Sequence, residues 1–200
     1  MSIFLNIRRR RSLLVALLGL LLTPSLSLPA SAEDGKRLRI GITLHPYYSY
    51  VANVIGDRAE IVPLVDEGFN PHSYELQPKD LKRLLSMDAL VLNGIGHDEF
   101  ATHAVEKLIH SQPELKEQLT LINANKDVPL LAAANTQNAW NPHTFVSIDA
   151  AIRQVYTIAK SLGQLDPDNA KYFQKNAIKY ARKLRGLKNR YMRQMVNTDM

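Results

Sequence analysis

Cysteine is absent from all 200 residues, which excludes disulfides and leaves no cysteine to carry a lipid anchor. A membrane-spanning run is also missing. The apolar stretch Leu13–Leu22 has ten positions, where about 20 are needed to cross a hydrocarbon core of roughly 30 Å. There is no His-Glu-x-x-His helix and no Gly-x-Ser-x-Gly elbow, so the signatures of a zinc protease and a serine hydrolase are both wanting. No repeat of fixed period and no low-complexity tract occurs, although Ala132–Thr136 with Gln137 and Asn138 reads as a loop.

The excess of basic residues is concentrated at the N-terminus. The formal charge is +6, but Arg8–Arg11 account for four of those charges and residues 1–32 contain no acid, so the remainder carries only +2. No concentrated basic patch precedes the C-terminal helix, and no nucleic-acid partner is expected. Arg8–Arg11, the apolar Leu13–Leu22 and the small residues Ala30-Ser31-Ala32 form the three regions of an export signal cut after Ala32. The arginine run is compatible with general secretion and with twin-arginine export. A soluble periplasmic protein of residues 33–200 is the expectation.

Those residues are enough for one α/β domain with additional helix. Leu38–Leu44 is short, apolar and β-branched, as a buried strand should be. Pro46 opens a helical stretch that ends at Gly56. Ala59–Val65 reads as a second strand, with Pro63 marking an edge or an end. A helix from Pro78 to Met87, a strand at Ala89–Asn93, a helix from about Asp98 to His110 and a strand at Gln118–Ile122 follow. Alternation of this kind predicts a four-stranded, mostly parallel sheet flanked by helices. Ligands bind such sheets at the loops leaving the C-terminal strand ends. His45, His72 and His97 follow the first, second and third strands, on one rim.

Beyond residue 148 the pattern is helical. Asp149–Leu162 forms one helix, and Asp166-Pro167 supplies an N-cap and a first-turn proline for another. Phe173, Ala177, Tyr180, Leu184, Leu187, Tyr191 and Met195 then recur at three- and four-residue spacing, predicting more than 30 residues of amphipathic helix, about 45–50 Å long. This apolar stripe wants a partner, and the chain reads as unfinished.

Two segments share a tripeptide: GFNPHSYELQP at 68–78 and WNPHTFVS at 140–147 both contain Asn-Pro-His. Together with HPYYSYVANVIGD, VLNGIGHDEF and LDPDNAKYFQKNAIKYARKL, in that order, they resemble the metal-binding solute receptors of zinc and manganese ABC importers, the cluster A-I family. The resemblance covers residues 38–200. It implies two α/β lobes joined by one long helix, with the metal between them. Here that means an N-terminal metal-binding lobe at 33–148 and a helical segment at 149–200 containing a truncated interlobe helix, with the second lobe absent. It implies His72 and His143 as metal ligands, further ligands from the absent lobe, and delivery of the metal to a permease at the inner membrane.

The residue chemistry fits. Neutral imidazole suits zinc and other first-row metals, at about 2.0–2.1 Å for zinc. His72 and His143 lie 71 positions apart, so only the fold can join them, and the preceding prolines stiffen both turns. Glu75, Asp66 or backbone carbonyls are candidates to orient the rings. His45 is a lesser candidate, a cap or cleft wall before a ligand. His97 is set aside, because members of the family do not usually coordinate through that position. His103 and His110 read as a solvated helix face. Tyr47, Tyr48 and Tyr50 read as packing. The cargo expected is Zn2+, with Mn2+ or iron as alternatives. The histidine-rich loop of many zinc-specific members is missing. A metal-binding adhesin or metallochaperone is a second class. A metallohydrolase, needing an open coordination position and a general base, is a third.

Overall fold

The computed structural model describes residues 37–134 and 139–196, within a compact unit spanning Lys36–Met200. The expected export signal and the loop positions 135–138 lie outside the described residues. The chain runs β1 (Leu38–Ile42), α1 (His45–Ile55), β2 (Ala59–Pro63), α2 (Pro78–Leu84), β3 (Ala89–Leu92), α3 (Glu99–Ser111), α4 (Leu115–Gln118), β4 (Thr120–Asn123), α5 (Ile148–Leu165) and α6 (Ala170–Val196). All three strand pairings are parallel, in the order β2-β1-β3-β4. The α/β class and the four-stranded parallel sheet flanked by helices are therefore as the hydrophobic pattern predicts.

Alternation along the central strands splits the core into two layers. On one face Ile40, Ile42, Ala89 and Val91 pack against α1, α5 and the first half of α6. On the other, Leu90 and Leu92 join Leu84, Met87, Ala101 and Val105. All four residues of β3 are buried because both faces of that strand are covered. Pro63 ends the edge strand β2, where its missing N–H costs no ladder bond.

Several boundaries follow local chemistry. Gly56 closes α1 at φ 56°, a backbone conformation that favours glycine, and a Cβ there would displace the Tyr172 hydroxyl, which lies 2.3 Å away. α2 stops at Leu84, short of Met87, because Ser86 and Met87 turn back with N–H donations to Arg83 and Leu84 carbonyls. β4 begins two residues later than expected. Leu115–Gln118 coils into a turn of helix that places Leu115 and Leu119 in the second core layer.

Asp166 caps the next segment as expected, its Oδ1 accepting from the Asn169 N–H at 3.2 Å. A 3-10 turn at Pro167–Asn169 leads into the 27-residue α6. Phe173, Ala177 and Ala181 bury the first half of its apolar stripe, whereas Tyr191 and Met192 are at least half exposed. Phe173→Ala should therefore lower unfolding stability by about 3–5 kcal/mol in urea titration, while exposed Arg185→Ala should stay within about 0.5 kcal/mol.

Candidate metal centre

The repeated Asn-Pro-His tripeptides fold into the same local structure. In each, the asparagine Oδ1 accepts the backbone N–H of the histidine two residues on, Asn70 to His72 at 3.1 Å and Asn141 to His143 at 2.9 Å. These are Asx-type turns, with proline fixing φ at the central position. Asn141 does more, because its Oδ1 also lies 3.0 Å from the His143 ring Nδ1. As an acceptor it holds the proton on Nδ1, which leaves the Nε2 lone pair free to ligate.

The loop bearing His72 is pinned two residues later. Tyr74 packs against Phe69 and Phe100, and its hydroxyl donates to buried Asp80 at 2.7 Å. That bond to the carboxylate pushes the Tyr74 hydroxyl up to about 12. Asp80 also accepts the Gln77 N–H at 2.9 Å as part of the cap of α2, so loop and helix share one anchor. Pro-His-x-Tyr is thus a rim histidine plus its fastening.

A third histidine enters from β3. The strand exits through Gly94 and Gly96, both at positive φ, and a Cβ on Gly94 would come within 2.7 Å of the Asn123 side chain. This turn brings His97 to the rim, and the next residue fixes it there. The buried Asp98 carboxylate accepts the Thr43 hydroxyl at 2.7 Å and the Asn93 and Gly94 N–H groups at 2.5 and 3.1 Å.

The His72, His97 and His143 rings converge, with centroids 4.6 Å apart for 72–97, 4.8 Å for 97–143 and 5.9 Å for 72–143. One ring nitrogen from each lies within 4.8 Å of the others. His97 is buried and its Nδ1 has no hydrogen-bond partner, whereas His72 and His143 are exposed. A buried polar atom without a partner is costly, which marks His97 as a ring still able to take one. Burial, followed by the neighbouring His72 and His143, pulls the His97 imidazole below its ordinary value; Asp98 opposes this more weakly. Its ring therefore stays neutral, as a ligand must, to lower pH than a free histidine.

Of the predicted site residues, the fold brings His72 and His143 together and leaves His45 apart. His45 opens α1, stacks against Tyr48 with ring centroids 6.3 Å apart, and lines a separate 590 Å³ cleft with Thr43, Asp66 and Phe69. His97, set aside on the sequence, joins the cluster instead. Its signal was its place at the rim after β3, behind two glycines. His103 and His110 are exposed on α3, and His103 lines a 770 Å³ groove that begins at His72 and His97. Asp66 orients no histidine. Lys79 and Arg83 bind its carboxylate at 2.5 and 2.6 Å and hold it below the usual carboxylate range. The acceptor for a site imidazole is Asn141.

Beneath the cluster lies a buried polar network. Tyr47 and Asn125 both donate to the Asn93 Oδ1, at 2.6 and 2.9 Å, and the Asn93 amide donates to the Pro142 carbonyl at 3.1 Å, one residue before His143. Gln154 on α5 donates to Asn125 and to Thr144, at 2.8 and 2.9 Å. Three strand ends and the His143 loop are tied to one another in this way.

The family model described as "ZnuA: Zinc-uptake complex component A periplasmic" matches residues 40–199. The solute-binding protein FpvC of Pseudomonas aeruginosa, solved in complex with Ni2+, is 54% identical with a TM-score of 0.69, over 78% of this chain and 54% of that one. The manganese ABC transporter substrate-binding lipoprotein PsaA of Streptococcus mitis is 27% identical over 76% of this chain and 50% of its own length. The high-affinity zinc uptake system protein ZnuA of Bacillus subtilis is 25% identical over 82% of this chain and 54% of its own. The chain spans about half the length of the relatives it matches.

The electrostatics of the cluster are directly measurable. In metal-free protein, the His97 ring should titrate below the ordinary histidine value of about 6.5 in two-dimensional NMR. Titration at or above that value would contradict the burial of its ring. Removing the Asn141 carbonyl in Asn141→Ala should release the His143 tautomer, visible as a mixture of Nδ1–H and Nε2–H signals.

Proposed function

The chain belongs to the ZnuA family of periplasmic zinc-uptake components, and we propose that it is the metal-capturing receptor of an ABC importer, taking a first-row divalent ion in the periplasm and passing it to an inner-membrane permease. The observation that carries this reading is the convergence of three imidazoles, with the buried His97 Nδ1 otherwise unpartnered.

The metal ion is the cargo of this protein, bound and then released. A hydrated cation would approach through the exposed side of the cluster, where His72 and His143 face solvent. Neutral imidazoles would replace part of its water shell. His97 supplies a ligand whose burial disfavours protonation, and Asn141 keeps His143 in the ligating tautomer. Each ligand loop is fixed by side chains already bonded, Asp98 behind His97 and Asp80 behind Tyr74, so little ordering entropy remains to oppose binding. No covalent chemistry is required of the protein.

Zinc is the proposed cargo. The three imidazole donors on this chain favour zinc, nickel and copper over manganese, which prefers carboxylate and water oxygens and stands lowest in the divalent affinity order. Manganese is the second reading, favoured by the P. aeruginosa FpvC structure solved with Mn2+, which is 56% identical to this chain.

Competitive titration of residues 33–200 tests the proposal. Zinc should bind at least about tenfold more tightly than manganese. His72→Ala, His97→Ala and His143→Ala should each weaken zinc by about tenfold or more, with His45→Ala unchanged. Zinc affinity unaltered in the His97 and His143 variants would remove the proposed site.

A further inference from the structure

Charge is segregated in this molecule. Nine of the 25 Lys and Arg residues lie on α6, which carries no acid, and four more lie in residues 1–32. All 19 Asp and Glu residues lie outside both segments, against the remaining 12 cations. Helical spacing then sorts the nine. Lys171, Lys175, Arg182 and Arg193 are four, seven and eleven residues apart and return to one azimuth, opposite buried Phe173, Ala177 and Ala181. Lys179 and Arg185 flank that line, and all six are exposed. Lys188 falls on the packed side, where Asp149 holds it. The ridge spans about 33 Å at 1.5 Å per residue.

The ridge has the wrong chemistry for a protein hot spot. Between the cations its outer face offers Gln174, half-buried Ile178, Gly186 and Asn189, with Met192 and Val196 exposed toward its end, and a Cβ added to Gly186 would meet nothing within 4 Å. There is no aromatic anchor in a pocket, the feature that carries most protein–protein affinity. A convex line of long, flexible cations instead matches a plane of anionic headgroups, which needs charge and no shape complementarity.

We propose that the outer face of α6, centred on Lys175, Arg182 and Arg193, docks the protein reversibly on an anionic phospholipid surface. The ridge would hold the receptor near the bilayer, and the acidic remainder of residues 33–200 would orient the contact.

Cosedimentation of residues 33–200, which contain the whole compact unit, with lipid vesicles tests this. Vesicles containing phosphatidylglycerol should retain the protein at low salt, release it at high salt, and outperform pure phosphatidylcholine. Each basic residue near the surface contributes about fivefold, so K175E/R182E/R193E should weaken binding by more than about 100-fold. Circular dichroism and zinc titration of that variant should match the parent, which separates lost docking from lost folding and from failure of the metal site. Equal sedimentation with both lipids, or a triple variant that binds like the parent, would overturn the proposal. Charge-dependent association with an acidic protein, without vesicle binding, would overturn it equally.

Discussion

Asn93 is fully buried at the end of β3 and satisfies partners on four sides. Its amide oxygen accepts Tyr47 from α1 and Asn125 from beyond β4, its amide nitrogen reaches the Pro142 carbonyl, and its N–H meets the Asp98 carboxylate. In a low-dielectric interior, breaking one of these bonds strands a polar group and costs about 1–3 kcal/mol. The strand ends are therefore locked in register with the loops that follow them. Asn93 thus bonds to the residue before His143 and to the residue after His97, tying both loops to one buried residue.

The cluster sits above that lock with the opposite character. Three like imidazoles brought this close would repel one another if protonated, and burial already disfavours charge on His97. The fold holds them together through bonds to their backbones and neighbours. An arrangement unfavourable for protons and open on one side is suited to a divalent cation, as the proposed function requires. Rigid support below and solvent access above let an ion enter without refolding the ligands.

Much of the fold is legible in the chain. The β-branched runs at 38–44 and 89–93, Pro63 at the edge, Gly56 closing α1 and Asp166-Pro167 opening the last helices each act through local sterics or capping. Local rules fail where long-range needs intervene: the coil of Leu115–Gln118 before β4 is favoured by burying Leu115 and Leu119 in a layer the sequence window cannot see. The site divides in the same way. Asn-Pro-His marks two turns by local chemistry, and the asparagine bonds are local as well.

His97 shows where local reading stops. Its neighbours Gly94, Gly96 and Asp98 mark a turn after a strand, but nothing near it in sequence says that its ring meets His72 and His143. His45 follows a strand on the same rim and is directed into a different cleft. The sequence by itself determined which segments become strands, helices and rigid histidine turns, because propensity, capping and turn chemistry act within a few residues. Only the tertiary structure decided which imidazoles share a centre. Strand order β2-β1-β3-β4 and the buried bonds of Asn93 and Asp98 set distances between residues separated by up to 71 positions, beyond the reach of any local preference.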